Sequence, residues 1–472
     1  MVNRKAFRIV KMSPQNFIIS LALIIGGILL SNSELLADAG IDFEVAPGYE
    51  VKQISSGEVD PYSVDTDNGQ VVWTQNEQLF FFDGETTRQL TTAPSSVYYP
   101  KISDGMIVWA GREDDTAGWE IYLYDGDNTS QLTNNSLTDF IPDIDQGQIA
   151  WRQDVGSGLS RILFFDGENV VNLSDGSYQD WDPKISKGTV AWQRNIPGIG
   201  FQLVLYDGEN TITVYEGEDK PEQDWDLHDG MLVWEEYDGN DTEIYLFNGT
   251  QNVQLTDNAL DEATPKIHDG NIAWSSYNFL TSTSNISFFN GNLIIPLSNN
   301  DYQNENPFTY GGQAVWSTYN WDEGHNTIYL YDGSSSINLV RSLNSLFLRG
   351  FHSSHAVFTA GFPASLYLIS PTQISGYVKW QNGSPIKDAV IEAYYLQGSE
   401  ESPVVTPITL IGSETLSAAD GSFALPPEFD APAQPSEFDV TKRGLRAKLT
   451  YVEEDGETTE QTIINYPNWN PL

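Results

Sequence analysis

A segment of about 40 residues, the length of a propeller blade, is repeated along most of this chain. Its clearest copy spans 100–133 and contains four short apolar runs. Asp104-Gly105 separates the first two runs and Asp125-Gly126 the last two. Asp-Gly favours a two-residue hairpin turn, so each copy predicts a four-stranded antiparallel meander. The middle runs are apolar at successive positions, which predicts sheets covered on both faces, as in a β-propeller.

An aromatic residue marks the same position in successive copies. It recurs as Trp73, Trp109, Trp151, Trp192, Trp234, Trp274 and Trp316, and then as Phe358 in a degenerate last copy. These side chains are predicted to form the core between blades, because their strands are apolar on both faces. The last copy lacks a fourth strand, whereas 49–55 resembles one. We therefore predict an all-β, eight-bladed propeller in which 49–55 closes the last blade, with seven blades as the alternative.

The first 39 residues have the order of a secretory signal peptide. Basic residues precede an apolar run at 17–30, and Ala37-Asp38-Ala39 offers small residues for cleavage. The run is shorter than the ~20 residues that span a bilayer. We expect an exported protein, periplasmic or extracellular, without a membrane span after cleavage. The propeller is predicted over 40–370 and a second domain over 371–472.

The strongly acidic composition restricts the partners. A formal net charge of −43 repels phosphate backbones and excludes a nucleic-acid partner. We expect a monomer that binds a glycan or a protein and needs no cofactor. Segments 65–69 and 238–243 resemble the start of calcium loops but lack the bidentate Glu at its required distance. A turn is the preferred interpretation of both segments, and Ca²⁺ stays open as a ligand.

The composition changes after residue 370, and short motifs there resemble a known domain. They consist of Gly376, Asn382, Gly383, Pro385, Ala389, Val390, Asp420, Gly421 and Phe423. This pattern resembles the carboxypeptidase regulatory-like (prealbumin-like) domain. The resemblance implies a small β-sandwich that serves as a structural or binding accessory without catalytic residues.

The repeats resemble those of TolB-like exported bacterial propellers. The motifs are Pro-x-Ile-x-Asp-Gly-x-Ile-x-Trp and Ile-Tyr-Leu-Tyr-Asp-Gly, followed by Leu-Thr. The resemblance implies the fold but not the activity, because propellers host scaffolds, adhesins, lyases, glycosidases and peptidase gates. No Gly-x-Ser-x-Gly motif of an α/β-hydrolase occurs in the sequence.

Candidate ligand-binding residues precede the first strand of each blade, on the face that carries the long loops. They are Tyr99, Phe140, Asp180, Trp181, Asp182, Asp224, Trp225, Asp226, Asp261, Glu262 and Glu305. Since the first strands line the channel, these side chains should converge at its mouth. Aromatic rings and carboxylates suit a sugar, a peptide or a cation. The alternative is that they are ordinary polar linkers.

Two functions fit these features. The favoured one is an exported, non-catalytic binding or scaffold protein that recognises a glycan or a protein at the long-loop face. The alternative is a glycoside hydrolase that uses paired carboxylates at the channel mouth. We favour the first because no carboxylate is distinguished from the others, and we assign no catalytic or metal-binding residue.

Overall fold

The computed structural model describes residues 41–371, apart from 47, 56, 93–95, 114–117 and 218–223, together with isolated strands at 20–22 and within 375–465. Every regular element in these residues is a strand, and they include no helix long and apolar enough to cross a membrane. The chain divides into two units, Leu35–Ser370 and Met1–Glu34 with Pro371–Leu472. The predicted signal peptide and its cleavage site lie outside the described residues, except for the strand Ser20–Ala22.

The unit Leu35–Ser370 is built from successive four-stranded antiparallel meanders, which we call sheets 1 to 8. Sheet 1 contains Val64–Asp67, Gln70–Gln75, Gln78–Phe82 and Thr87–Gln89. Sheet 2 contains Ser96–Ser103, Met106–Arg112, Glu120–Tyr124 and Thr129–Gln131. Sheet 3 contains Thr138–Asp145, Gln148–Gly156, Leu159–Phe165 and Val170–Asn172. Sheet 4 contains Gln179–Ser186, Thr189–Ile196, Gly200–Tyr206 and Thr211–Gly217.

The second half of the unit repeats this arrangement. Sheet 5 contains Trp225–His228, Met231–Tyr237, Thr242–Phe247 and Asn252–Gln254. Sheet 6 contains Asp261–His268, Asn271–Asn278, Thr283–Phe289 and Ile294–Pro296. Sheet 7 contains Gln303–Tyr310, Gln313–Asn320, His325–Tyr331 and Ser336–Ser342, with Glu44–Val45 added at its edge. Sheet 8 contains Leu346–His352, His355–Ala360, Ser365–Pro371 and, as its outer strand, Tyr49–Gln53.

The sheets form a closed ring. The first strand of each sheet lies beside the first strand of the next, and Leu346–His352 of sheet 8 lies beside Val64–Asp67 of sheet 1. Apolar packing also crosses this last seam, where Trp73 and Val71 share a core cluster with Val357. A ring of twisted meanders with the first strands innermost is a β-propeller, and these strands surround its central channel.

The tryptophan at the repeated position is buried in each sheet, as predicted. Trp73, Trp151 and Trp192 have no exposed surface, and Phe358 takes the same place in sheet 8. Each core cluster joins neighbouring sheets; Val72 of sheet 1 packs with Ile107 and Trp109 of sheet 2. The apolar faces therefore bury one another around the ring.

The two predicted Asp-Gly turns differ in geometry. Asp104 and Gly105 both have positive φ, 50° and 75°, and form the predicted two-residue turn. The prediction of the same turn at Asp125-Gly126 is wrong, because the loop spans 125–128. There the Asp125 carboxylate accepts hydrogen bonds from the backbone N–H groups of Asp127 and Asn128. An aspartate that caps its own loop in this way favours the longer connection.

A β-bulge interrupts the first strand in six of the sheets, and five of these bulges contain a proline. At each bulge that contains a proline, the residue before the proline has a φ of 50–56°. These residues are Tyr99, Ile141, Asp182, Thr264 and Asn306. Proline cannot donate to the strand ladder, so the register shifts at this point. A bulge re-aims the next side chain, which in sheets 2, 3, 4 and 6 is a charged residue that follows the proline.

The C-terminal unit is described only as strands. One sheet joins Ser20–Ala22, Ser375–Lys379 and Ser422–Ala424. A second sheet joins Ser402–Pro407, Val390–Ser399, Arg443–Val452 and Thr458–Asn465. In this second sheet, Thr415–Leu416 also pairs with Val390–Ser399. The motif positions Asn382, Gly383, Pro385, Ala389, Asp420 and Gly421 lie outside the described residues.

Candidate functional site

The channel is lined by alternating acidic and basic side chains, one from the first strand of each of six sheets. We call this set the charge ring; it consists of Asp65, Lys101, Asp143, Lys184, Asp226 and Lys266. Each of these residues precedes a buried aliphatic residue or, in sheet 1, a threonine of the same strand. Their charges act on one another across the axis, as those of Lys101, Asp143 and Asp226 do. The ring thus concentrates both signs of charge in one place.

Each aspartate of the charge ring is fixed by the next sheet. Asp65, Asp143 and Asp226 accept hydrogen bonds of 2.9–3.0 Å from the backbone N–H groups of Ile102, Ile185 and Ile267 respectively. Lysines complete the pairing: Lys101 Nζ lies 3.6 Å from Asp65 and Lys184 Nζ 3.1 Å from Asp226. The charged groups are held in place and still reach the channel, since the Lys101 side chain is 41% exposed.

The electrostatics of the charge ring are not uniform. The Asp65 carboxylate raises the pKa of Lys101, whereas burial, aided by the charge of Lys184, lowers the pKa of Lys266. Burial raises the pKa of Asp143. Burial alone would also raise the pKa of Asp226, but the ammonium groups of Lys184 and Lys266 outweigh it and lower that pKa. Lys266 therefore loses a proton, and Asp143 binds one, more readily than the same side chain does in water.

The ring has an uncharged side in sheets 7 and 8. Phe308 pairs with Val315 in sheet 7 and Gly350 pairs with Val357 in sheet 8, just as Lys101 pairs with Val108 in sheet 2. Phe308 and Gly350 therefore occupy the positions that correspond to the charge ring in these two sheets. A Cβ on Gly350 would lie 2.8 Å from Thr66 Cγ2 of sheet 1, so the closing seam leaves no room for a side chain. Any ligand in the channel therefore meets charges on one side and Phe308 on the other.

A second layer of hydrogen bonds joins the sheets at the end of the channel that carries the two-residue turns. In each case a side chain at the end of a first strand accepts from a backbone N–H of the next sheet. The acceptors are Asp67, Ser103, Asp145, Ser186, His228, His268 and His352. We call them the seam acceptors. His352 Nδ1 accepts from Asn68 at 2.9 Å and so closes the ring.

The three histidines among the seam acceptors are neutral at pH 7. Their rings form an arc with Tyr310, with centroid distances of 4.2, 4.0 and 3.9 Å. Burial lowers the pKa of all three histidines. His228 also lowers the pKa of His268, which is about 4. His268 in turn lowers the pKa of His352, which is also about 4. Because Nδ1 accepts an N–H, the proton of each neutral ring resides on Nε2.

His228, His268 and Asp269 are close enough to share a metal ion. However, the Nδ1 lone pairs of both histidines already accept backbone hydrogen bonds.

An aromatic cluster lies at the long-loop end of sheets 2 and 3. Tyr99 contacts Phe140 edge-on with a centroid distance of 5.0 Å, and Trp119 lies 5.1 Å from Phe140 and 5.2 Å from Tyr98. Arg112 stacks over Trp119. Tyr99 is 39% exposed, so the cluster offers an apolar surface to a ligand.

The structure distributes the other predicted binding residues among several environments. Asp226 belongs to the charge ring, while Trp225 is buried beneath Lys184 Nζ, which contacts both its ring and its carbonyl. Asp180 is 1% exposed and ion-paired with Arg194 at 2.7 Å. Trp181 packs edge-on against Phe201. The predicted set therefore does not form one pocket at the channel mouth.

Four further predicted residues belong to four different sheets or the linkers before them. Asp182 holds the left-handed position of its bulge, and Asp224 is half-buried before Trp225. Asp261 accepts a hydrogen bond from the Thr242 N–H at 3.1 Å, and Glu305 is exposed.

Glu262 lies in a pocket between sheets 5 and 6. The pocket has a volume of about 270 Å³ and is lined in part by Asp257, Asn258, Glu262 and Trp274. Asn258 Nδ2 donates to Glu262 at 2.7 Å. Burial, together with the adjacent Glu243 carboxyl, raises the pKa of Glu262 to about 8. Two carboxyls so close to each other hold a proton or a cation between them.

Sequence reasoning missed five of the six members of the charge ring. The signal was present, because Lys and Asp alternate at the position after Pro in Pro100-Lys101-Ile102, Pro142-Asp143-Ile144 and Pro183-Lys184-Ile185. The seam acceptors were also missed, although His228 and His268 occupy the same position in their repeats.

Comparisons with solved structures show similarity of fold to propellers that occur in peptidases. No protein-family model and no curated protein sequence matches the chain. Among solved structures, the chain is similar to the β-propeller domain of the Trilobed protease from Pyrococcus furiosus, with 12% identity and a TM-score of 0.42 over 60% of this chain and 98% of that one.

Two further peptidases are also similar to it. A puromycin-hydrolyzing peptidase of Mycobacterium tuberculosis has 14% identity and a TM-score of 0.44, over 64% of this chain and 57% of that one. A prolyl endopeptidase has 10% identity and a TM-score of 0.44, over 68% of this chain and 55% of that one. The chain thus spans little more than half the length of either peptidase.

These similarities correct the functional interpretation made from the sequence. The similar structures named here are peptidases or the propeller of one. The expectation of a non-catalytic recognition protein for a glycan or a protein, and its alternative of a glycoside hydrolase, are contradicted by this finding.

Proposed function

We propose that this chain takes part in peptide hydrolysis and that it holds an extended peptide at the charge ring of its channel. The observation that carries the proposal is the alternation of ammonium and carboxylate groups around one axis. A peptide presents N–H donors, carbonyl acceptors and charged termini, and a ring that offers both signs of charge is complementary to all of them.

Two features near the ring suit the same ligand. Phe308 forms an uncharged wall beside the charges, and the aromatic cluster around Tyr99 lies at the long-loop end of the channel-lining strands of sheets 2 and 3. Apolar peptide side chains bind aromatic surfaces of this kind, while the charged groups orient the backbone. The peptidases named above provide the ligand class to test.

Peptide binding can be measured with short fluorescein-labelled peptides whose termini are free or blocked. We expect the full chain to bind them and Lys184→Met to weaken binding about tenfold, because a charge-assisted contact in the ring is lost. Lys187→Met is the matched control, since Lys187 is also ion-paired, to Asp229 at 3.2 Å, but lies outside the ring. Equal affinities of the two variants, or no binding by the unmodified chain, would overturn the proposal.

Mass spectrometry of the same peptide mixtures locates the hydrolytic step. Shortened peptides would assign cleavage to this chain, whereas bound but intact peptides would assign it to a hydrolase on another chain. Thermal unfolding of both lysine variants shows whether the ring also stabilises the fold.

We further propose the organisation in which this activity operates. The ring is an eight-bladed propeller of the TolB-like type, closed by Tyr49–Gln53 as the outer strand of sheet 8. Residues 371–472 form a small β-sandwich of the carboxypeptidase regulatory-like type, and 1–39 direct export to the periplasm or the exterior. The order of basic residues, apolar run and small residues supports export. Mass spectrometry of the N-terminus of the exported protein tests cleavage near Ala39.

A further inference from the structure

Five carboxyl groups gather where sheet 5 meets sheet 6. We call this set the acidic seam; it consists of Asp238, Asp241, Glu243, Asp257 and Glu262. One carboxylate oxygen from each of Asp238, Glu243 and Asp257 lies within 4.8 Å of the others. Asp238 and Asp241 belong to the hairpin between the second and third strands of sheet 5, whereas Asp257 belongs to the linker that follows sheet 5. The fold therefore assembles the seam from a hairpin and third strand of sheet 5, the linker after that sheet and the first strand of sheet 6.

Buried oxygens in this seam lack a partner. Glu243 is completely buried, and its Oε1 accepts a hydrogen bond of 2.7 Å from the Asn258 N–H. Its Oε2 has no donor other than a proton shared with the Glu262 carboxyl, and the buried Oδ1 of Asp241 has no hydrogen-bond partner. Within the described part of the chain, no Lys or Arg forms an ion pair with these carboxylates. Burying such oxygens without a positive partner is costly.

Two of the equivalent seams compensate for their polar groups in other ways. Between sheets 6 and 7 the same positions are amides: Asn285 accepts from the Asn300 N–H at 3.2 Å, and Asn304 donates to Asn300 at 2.9 Å. Between sheets 3 and 4, Arg194 neutralises Asp180. The acidic seam places carboxyls where the amide seam has amides, and Asn258 is the residue that donates to Glu243 and Glu262 there.

We propose that the acidic seam binds a Ca²⁺ ion that joins sheet 5 to the linker leading into sheet 6. Its donors are all carboxylate oxygens, which hard cations prefer, and Ca²⁺ tolerates the irregular geometry of six to eight oxygens that hairpin and linker residues provide. Asp238 and Asp257 are exposed, so the ion enters from solvent and water completes its coordination. The carboxylate of Asp257 is the ligand that the calcium-like segment 238–243 lacks by itself.

Terbium luminescence provides a direct test on the full chain. Tb³⁺ replaces Ca²⁺ at oxygen sites, and Trp274 lines the same pocket as Glu262 and Asp257, so tryptophan excitation should sensitise the bound ion. We expect CaCl₂ to displace Tb³⁺ with a dissociation constant of about 10⁻⁴–10⁻³ M, the range of extracellular calcium sites. MgCl₂ should compete more weakly, because Mg²⁺ requires regular octahedral geometry.

Two variants and one control complete the test. Glu243→Gln should lower the affinity for Ca²⁺ at least tenfold, and Asp257→Asn should do the same without threatening the fold, because Asp257 is exposed. Glu209→Gln removes one exposed carboxylate from a hairpin of sheet 4 and should leave the affinity unchanged. A chain without a Ca²⁺-displaceable signal, or an Asp257→Asn variant with unaltered affinity, would refute the site. Peptide binding at the charge ring is measured separately, so the two proposals fail independently.

Discussion

His352 Nδ1 accepts a hydrogen bond of 2.9 Å from the backbone N–H of Asn68, and this bond joins the last sheet of the ring to the first. The same imidazole reaches Asp67 with Nε2 at 3.2 Å. Both contacts require Nδ1 to be unprotonated and Nε2 to carry the proton. One neutral histidine thus connects residues that are 284 positions apart.

Replacing this histidine should weaken the closing seam. His352→Ala removes the acceptor for the Asn68 N–H, and Asn68 is exposed, so water can replace part of the contact. We expect a loss of about 1 kcal/mol in the free energy of unfolding, measured by urea denaturation. His325→Ala, at the start of the third strand of sheet 7, serves as the comparison. A smaller loss in His352→Ala than in the comparison would contradict a role for His352 in closure.

The stability of the ring should fall when the seam histidines become protonated. The folded-state pKa values of His268 and His352, each about 4, lie below the ordinary value of 6.5. A group with a depressed pKa stabilises the fold fully above 6.5, and this contribution is lost as the pH falls from 6.5 towards 4. The loss is on the order of 1–3 kcal/mol for each histidine.

The pH effect can be assigned by comparing urea midpoints of the unmodified chain and His268→Gln between pH 7 and pH 4. Other groups face these rings, among them Asp269, Lys187 and Asp229, and their contribution remains in the variant. The variant should therefore show a shallower dependence on pH over this window. Parallel curves for the two proteins would show that His268 does not contribute.

The meander and the core were predictable from the sequence, whereas the site was not. Trp109 and its equivalents mark strands that are apolar at every position, and burial on both faces is the only way to remove such strands from water. Lys101 and Asp143 look like ordinary surface charges in their own repeats. Their convergence exists only once the ring is closed and each bulge has turned its charged residue inward.

Equivalent positions also acquired different environments. Asp180 and Glu262 occupy the same place in their repeats, but Asp180 faces Arg194 and Glu262 faces Glu243. These partners come from neighbouring strands, and the identity of a facing side chain depends on register and not on the motif itself. The predicted residues therefore do not share one environment.

Gly350 should be intolerant of even the smallest side chain. An added Cβ would lie 2.8 Å from Thr66 Cγ2, so Gly350→Ala should cost about 1–3 kcal/mol of stability through overpacking. Thr66→Ser removes that methyl group and keeps the hydroxyl that donates to the Gln70 carbonyl at 2.8 Å. The double variant should recover most of the loss in thermal unfolding. If Thr66→Ser gives no rescue, the clash involves the backbone and the two sheets are packed differently.

The buried ion pair of Asp180 and Arg194 gives a sharper prediction. Arg194 Nε and Nη2 donate to the two oxygens of Asp180 at 2.7 and 3.0 Å, and Asp180 is 1% exposed. Arg194→Met leaves a buried carboxylate without its cation and should cost about 3–5 kcal/mol. Adding Asp180→Asn removes the stranded charge, so the double variant should be more stable than Arg194→Met alone. Urea denaturation of the four proteins gives the coupling energy, and additive effects would show that the pair contributes nothing beyond its separate packing.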